Sequence, residues 1–200
     1  MLPVSSKYRI AKRLGAGVFE QTQTQKFALV EARTKKRMGR GPSDYGKQLI
    51  EKQRVRFTFG LSERQLSNYA KEAITTANPP ATLNKMLEMR ADMVAYRAGF
   101  ASTRRAARQA VSHGHFTING KRVTTPSFKL KKGDVLEVRG PNRTSPLYAA
   151  LAEKNAEGRS IPGWIDVDVA LLKATITGEP QYSVMEGGLD FATVFEFYSR

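Results

Sequence analysis

Asn119-Gly120 sits between two short runs, His115 to Ile118 and Lys121 to Val123, and this arrangement constrains the chain more than any other. Asn-Gly is the dipeptide that best tolerates the positive φ angles of a two-residue hairpin turn, so the flanking runs are expected to pair as antiparallel strands. Directly before them, residues 102–114 have helical spacing, with Ser102 or Thr103 as cap and Gly114 as terminator. A helix there puts Ala106, Ala107, Ala110 and Val111 on one arc and Arg104, Arg105 and Arg108 on the other. After the hairpin, Lys131-Lys132-Gly133-Asp134 marks a further turn. Val135, Glu137 and Arg139 then alternate with Leu136 and Val138 in another strand. Helices followed by a small antiparallel sheet imply an α+β fold.

The flanks read as mostly helical. Ser43 caps an expected helix from about Asp44 to Phe59 that carries Tyr45, Leu49, Ile50 and Phe57 on one side and stops at Gly60. Ser62 and Gln65 have capping-box spacing, which predicts a second helix to about Ala77, broken by Asn78-Pro79-Pro80. Two short helices are expected over 82–90 and 91–98, the latter closed by Gly99. Ser145-Pro146 starts another, expected to run to about Ala156. The stretches WIDVD at 164–168 and FATVFEFYS at 191–199 alternate like strands. Residues 1–42 have weak periodicity and a basic run of Arg33, Lys35, Lys36, Arg37 and Arg40, which predicts an extended tail that orders when RNA neutralises its charge. The expected organisation is therefore a basic extension over 1–42, a helical domain with C-terminal strands over 43–86 plus 141–200, and an inserted α+β module over 87–140.

Charge narrows the partner. Of 33 Lys and Arg residues, 28 fall within residues 1–140, against 10 acidic ones there, while residues 141–200 hold 5 basic and 8 acidic side chains. So large a cationic excess calls for a polyanion, nucleic acid first, facing the first two thirds of the chain. With no cysteine and only His113 and His115, thiolate zinc sites and disulfides are excluded and no metal or other cofactor is expected. No apolar run approaches the ~20 residues of a membrane span, and MLPVSSKYR lacks the apolar stretch of a secretory signal, so a soluble intracellular protein without a membrane partner is expected.

The residue types favour binding over catalysis. An arginine's planar fork bridges two phosphate oxygens or stacks on a base, whereas lysine offers a mobile point charge. No acidic residue lies between 93 and 133 to neutralise Arg104, Arg105 and Arg108. Lys121 and Arg122 follow the hairpin turn and would project beside that helix, which suits reading the shape of a folded RNA. Phe116 and Phe128 are expected in the core more than as stacking platforms. His113 and His115 lie near Ser112 without an acidic neighbour, so no nucleophilic triad is expected, and no glycine-rich phosphate loop is present.

From Leu87 to Val123 the sequence LEMRADMVAYRAGFASTRRAARQAVSHGHFTINGKRV resembles the S-four RNA-binding module, through Arg90 and Asp92, Arg97, Gly99 and Phe100, Thr103, Arg104 and Arg108, then Val111, Ser112, His113, Asn119 and Gly120. The preceding segment, Ser43-Asp44-Tyr45-Gly46 through Gln48, Leu49, Glu51-Lys52-Gln53, Val55-Arg56, Gly60, Glu63-Arg64-Gln65 and Asn68-Tyr69, resembles the bacterial-type small-subunit ribosomal protein S-four family. The ending Phe195-Glu196-Phe197-Tyr198-Ser199-Arg200 does so too. The chain lacks the N-terminal cysteine cluster of many bacterial members, which makes it a zinc-free one, and Ala91 stands where leucine is usual.

The resemblance implies a structural, non-enzymatic component of the small ribosomal subunit. Such a protein binds the 5′ domain of 16S-type ribosomal RNA, nucleates assembly and supports decoding accuracy. It would contact ribosomal protein S-five, and mRNA near the entry channel, in a cytoplasmic rather than an organellar ribosome. RNA contacts are expected from Arg33, Lys35, Lys36, Arg37, Arg40, Tyr45, Lys47, Lys52, Arg54, Arg56, Arg64, Tyr69, Arg97, Thr103, Arg104, Arg105, Arg108, His113, Asn119, Lys121 and Arg122. The alternatives are a ribosome-associated assembly or rescue factor and an RNA-modification enzyme anchored by the same module, the latter needing a catalytic domain.

Overall fold

The computed structural model describes residues 4, 6–33, 43–149, 161–183 and 188–199. Residues 1–83 with 182–200 form one compact unit, and residues 84–181 form a second, inserted one.

The first unit is helical: α1 (Lys7–Leu14), α2 (Gln25–Arg33), α3 (Asp44–Thr58), α4 (Glu63–Ile74) and the start of α5 (Pro79–Glu88). Ser43 caps α3 by accepting from the Gly46 amide, and the capping box between Ser62 and Gln65 is fully formed at α4. Helix α5 begins at Pro79, three residues before the expected start. Asn78 accepts from the amides of Ala81 and Thr82, and two prolines fit the first turn, where no intrahelical donor is needed.

Two expectations fail in this unit. Residues 7–33 are not an extended tail: Ala11, Leu14, Val18, Phe19 and Phe27 are buried together, packed by Ile50 and Phe57 of α3. Spacing of i, i+3 and i+4 in a short basic helix suffices, because α3 supplies the apolar surface that the segment cannot provide alone. The stretch at 191–199 is a helix, α10 (Phe191–Tyr198), and not a strand. Asp190 caps it by accepting from the Thr193 amide. Tyr182 Oη accepts from the Phe191 amide and donates to the Leu189 carbonyl, fixing the chain's entry. The β-formers of α10 pack on α3, with Tyr45 and Phe197 rings 5.7 Å apart, so tertiary contact overrides their strand propensity.

The second unit contains α6 (Ala91–Arg97), α7 (Arg104–Ser112) and a five-stranded antiparallel sheet. Its strands are β1 (Phe116–Ile118), β2 (Lys121–Val123), β3 (Val135–Val138), β4 (Ile165–Asp168) and β5 (Lys173–Ile176), in the order β2-β1-β3-β5-β4. The hairpin has the expected register, Ile118 opposite Lys121, with φ of 50° at Asn119 and 78° at Gly120. The C-terminal strands were expected to belong with the flanking helices; instead β4, over the expected 164–168 stretch, and β5, which was not expected, both lie in the inserted unit. β5 pairs along β3, Leu136 opposite Ala174, and covers an edge that would otherwise stay open. Helix α9 (Pro146–Ala149) starts at the expected Pro146, after a short α8 (Gly140–Arg143) that was not expected; the continuation to 156 lies outside the described residues.

The core of this unit joins Val94, Ala95 and Ala98 of α6, Ala107 and Val111 of α7, and Phe116, Ile118, Leu136, Val138, Ala174 and Ile176 of the sheet. Phe116 is core, stacked on Phe100 and edge-on to Tyr148, each at 6.1 Å, whereas Phe128 is exposed.

Gly114 ends α7 in a left-handed turn, φ 72°: its amide donates to the Val111 carbonyl and the His115 amide to that of Ala110. A Cβ here would run into the Arg122 guanidinium. Gly114→Ala is expected to lose about 1–2 kcal/mol from the left-handed backbone alone, read as a lowered urea midpoint, and to displace Arg122 besides.

Candidate nucleic-acid interface

Within the second unit, α7 and the β1–β2 hairpin bring cations together. Thr103 caps α7, its Oγ1 accepting from the Ala106 amide at 3.1 Å, and the small face of Ala106, Ala107, Ala110 and Val111 packs on the core. That leaves the arginines on the outer arc, half-buried rather than fully solvated. Arg104 lies over the Tyr96 ring, 4.7 Å from its centre. Arg108 reaches to 3.8 Å from Asp92, so its counterion comes from just outside the acid-free window. The hairpin meets the end of this helix where Arg122 Nη2 donates to the His113 carbonyl at 3.3 Å. The His113 side chain is exposed beside it.

Asn119 has an internal role. Its Nδ2 donates to Asp134 Oδ1 at 2.8 Å and its Oδ1 accepts from the Val135 amide at 2.9 Å. Asp134 also accepts from the Lys131 amide at 2.7 Å, so one carboxylate joins the hairpin tip to the turn before β3. Lys131 and Lys132 thereby flank the hairpin. Both were missed from sequence, although Lys-Lys-Gly-Asp is legible as a turn. Lys121, Lys131 and Lys132 are exposed and make no ion pair among the described residues.

Beneath this surface lie two bidentate ion pairs. Arg90, 0 % exposed, donates from Nε and Nη2 to Asp92, 3 % exposed, at 2.9 and 2.8 Å. Arg97 donates from Nε and Nη2 to Glu88 at 2.8 and 2.7 Å, and the hydrogen bond with Glu88 raises its pKa despite burial. Arg97, at the end of α6, is thus held by the last residue of α5, its side chain still partly accessible.

In the first unit the cations of α3 divide. Lys52 is corrected from RNA contact to buried support: it is 6 % exposed, 2.9 Å from Glu63 and 4.0 Å from the centre of the Phe197 ring. Arg56 shares Glu63 and lies over Phe57, and Arg54 is held by Glu51 at 2.6 Å. Burial would raise the Glu63 pKa, but hydrogen bonds from Lys52, Tyr198 and Arg56 and the Lys52 charge bring it below the ordinary value. Burial and the bond to Glu63 hold Tyr198 protonated, its pKa well raised. Tyr45, Lys47 and Arg64 stay exposed, Lys47 paired with Asp44 in solvent, and Tyr69 is half-buried. Arg33 is exposed at the end of α2, while Lys35, Lys36, Arg37 and Arg40 lie outside the described residues. Arg9, Lys12 and Arg13 form an exposed cationic face of α1 without ion pairs among the described residues. That face was missed because the segment was read as a tail, yet the helical spacing of Ile10, Ala11 and Leu14 marks it.

His115 provides a pH dependence. Burial, and then the neighbouring His113 charge, lowers its pKa, and its Nδ1 is 3.0 Å from the hydroxyl of Tyr148, whose own pKa burial raises to about 12. Below the ordinary value of 6.5 the unfolded chain takes up a proton that the folded one resists, so this contribution to stability is present above that pH and lost as pH falls. Urea midpoints at pH 7.5 and 5.5 are expected to differ less in His115→Gln than in the unsubstituted chain.

Among the described residues no cluster of His, Asp and Glu could hold a metal ion, and no helix is long and apolar enough to cross a membrane. Residues 4–89 match the family described as ribosomal protein S4/S9 N-terminal domain, and residues 89–136 match the S4 domain. The chain is 38 % identical to small ribosomal subunit protein uS4 of Borrelia turicatae over 98 % of this chain and 96 % of that one. It is 41 % identical to the uS4 of Persephonella marina, over 78 % and 77 % respectively. With the uS4 of Borreliella burgdorferi the identity is 36 % over 98 % and 96 %. Two adjoining family matches that meet at Met89, and relatives aligned almost end to end, place the chain in the ribosomal protein S4 family.

Proposed function

We propose that this protein is a structural component of the small ribosomal subunit that binds its ribosomal RNA through fixed cations, without catalysing a reaction. The observation that supports this most is the cationic rim of the second unit. It comprises Arg104, Arg105 and Arg108 on one helix, Arg122 pinned over the helix end, and Lys121, Lys131 and Lys132 on two turns that Asn119 and Asp134 join. Side chains held this way neutralise crowded phosphates at low ordering cost and suit recognition of folded RNA by shape. The exposed cations of α1, with Lys47 and Arg64, add a second surface on the first unit.

The finer reading is that the RNA partner is the 5′ domain of 16S-type RNA, bound early in assembly in a cytoplasmic ribosome. Contact with ribosomal protein S-five and mRNA near the entry channel, and an influence on decoding accuracy, belong to the same reading. The full chain, titrated against the isolated 5′ domain and a scrambled RNA of equal length over a salt series, is expected to discriminate between them. Equal affinity for both, with equal salt slopes, would reduce it to a generic basic protein.

A further inference from the structure

Asn119-Gly120 is also a reactive dipeptide. A glycine after asparagine leaves its amide nitrogen unhindered, so that nitrogen can attack the asparagine carboxamide; no other asparagine in the chain precedes a glycine. In the fold the carboxamide is occupied at both ends, by the Asp134 carboxylate at 2.8 Å on Nδ2 and by the Val135 amide at 2.9 Å on Oδ1. Asp134 belongs to the turn before β3 and Val135 to β3 itself, so the carboxamide must give up both bonds to β3 and its turn before it can rotate freely to meet the Gly120 nitrogen. The left-handed φ of both turn residues is fixed by the same hairpin register.

We propose that Asn119 is a spontaneous deamidation site closed by this pair of hydrogen bonds and opened when the hairpin tip separates from β3. In the open form Gly120 N bonds to Asn119 Cγ and the Cγ–Nδ2 bond breaks. Ammonia leaves with the proton from Gly120, producing a succinimide. Water then opens the ring at either carbonyl, so one water is consumed and one ammonia released for each aspartate or isoaspartate formed. The product cannot close again as before: a carboxylate oxygen replaces the donor that faced Asp134, and two like charges meet where a hydrogen bond was. Isoaspartate also lengthens the turn backbone. Deamidation therefore undoes the link between the two turns that carry Lys121, Lys131 and Lys132, and adds a negative charge among them.

The test follows residue 119 in the full chain by peptide mass and by enzymatic methyl labelling of isoaspartate, at neutral pH, native and in concentrated urea. Reaction in the native chain must await local opening, so it is expected to run at least about tenfold slower than in urea. Asp134→Ala, shown to be folded by circular dichroism, should move the native rate toward the unfolded one. Equal native and unfolded rates in the unsubstituted chain would overturn the proposal, as would a folded Asp134→Ala chain that reacts no faster. If Asp134→Ala does not fold, the native-to-urea ratio in the unsubstituted chain decides alone.

Discussion

Asp92→Ala is expected to remove about 3–5 kcal/mol of stability from the inserted unit, because it strands a buried guanidinium without its counterion. Arg90 is 0 % exposed, and both of the bonds it donates to Asp92 would be lost at once. Arg108 would lose its ion pair with Asp92 as well. Against a total of about 5–15 kcal/mol for a typical domain, such a loss brings the unit close to unfolding. Trp164, the single tryptophan, packs against this unit's core, so its fluorescence in urea reports the right transition. Replacing both partners, Arg90→Met with Asp92→Leu, is expected to recover most of the loss, since no unpaired charge then remains in the interior. A loss under about 1 kcal/mol for Asp92→Ala would show that the pair behaves like one at the surface.

Local rules carried much of the fold, and tertiary contact decided where they failed. The caps at Ser43, Ser62 and Thr103, the stop at Gly114 and the Asn119-Gly120 turn are all contained within a few residues, and each stands where its spacing predicts. Helix α10 was misread because Phe191, Phe195 and Phe197 fall on one side of a strand's alternation, whereas the two side chains it buries, Phe191 and Val194, have helical spacing that only packing against α3 makes evident. Strand β5 has no turn chemistry comparable to Asn-Gly, and its place depends on an edge of β3 some forty residues away. The site divides in the same way. Charge and helical phase identify Arg104, Arg105 and Arg108, but neither reveals that Lys52 turns inward to Glu63, that Thr103 spends its hydroxyl on a backbone amide, or that Asn119 spends its carboxamide on Asp134 and the Val135 amide. A cation's availability depends on acids distant in sequence, which periodicity does not report.

That distinction yields the largest expected effect on binding. Removing four side chains together, with Lys121→Ala, Arg122→Ala, Lys131→Ala and Lys132→Ala, should flatten the dependence of log affinity on log salt by about 3.6, and weaken RNA binding roughly several thousandfold at 0.1 M salt, because each phosphate contact contributes ~0.9 to that slope on a duplex. All four are exposed and none has a carboxylate partner among the described residues, so their counterions are free to be displaced by phosphate. Lys52→Ala carries the opposite expectation. Its charge already faces Glu63 and the Phe197 ring, so the salt slope should stay as it was while the urea midpoint of the helical unit falls. Equilibrium binding to the 5′-domain RNA between 50 and 300 mM salt, with unfolding measured on the same preparations, separates the two. An unchanged slope in the fourfold variant would move the RNA-binding surface off the hairpin and onto α1, α3 and the arginines of α7.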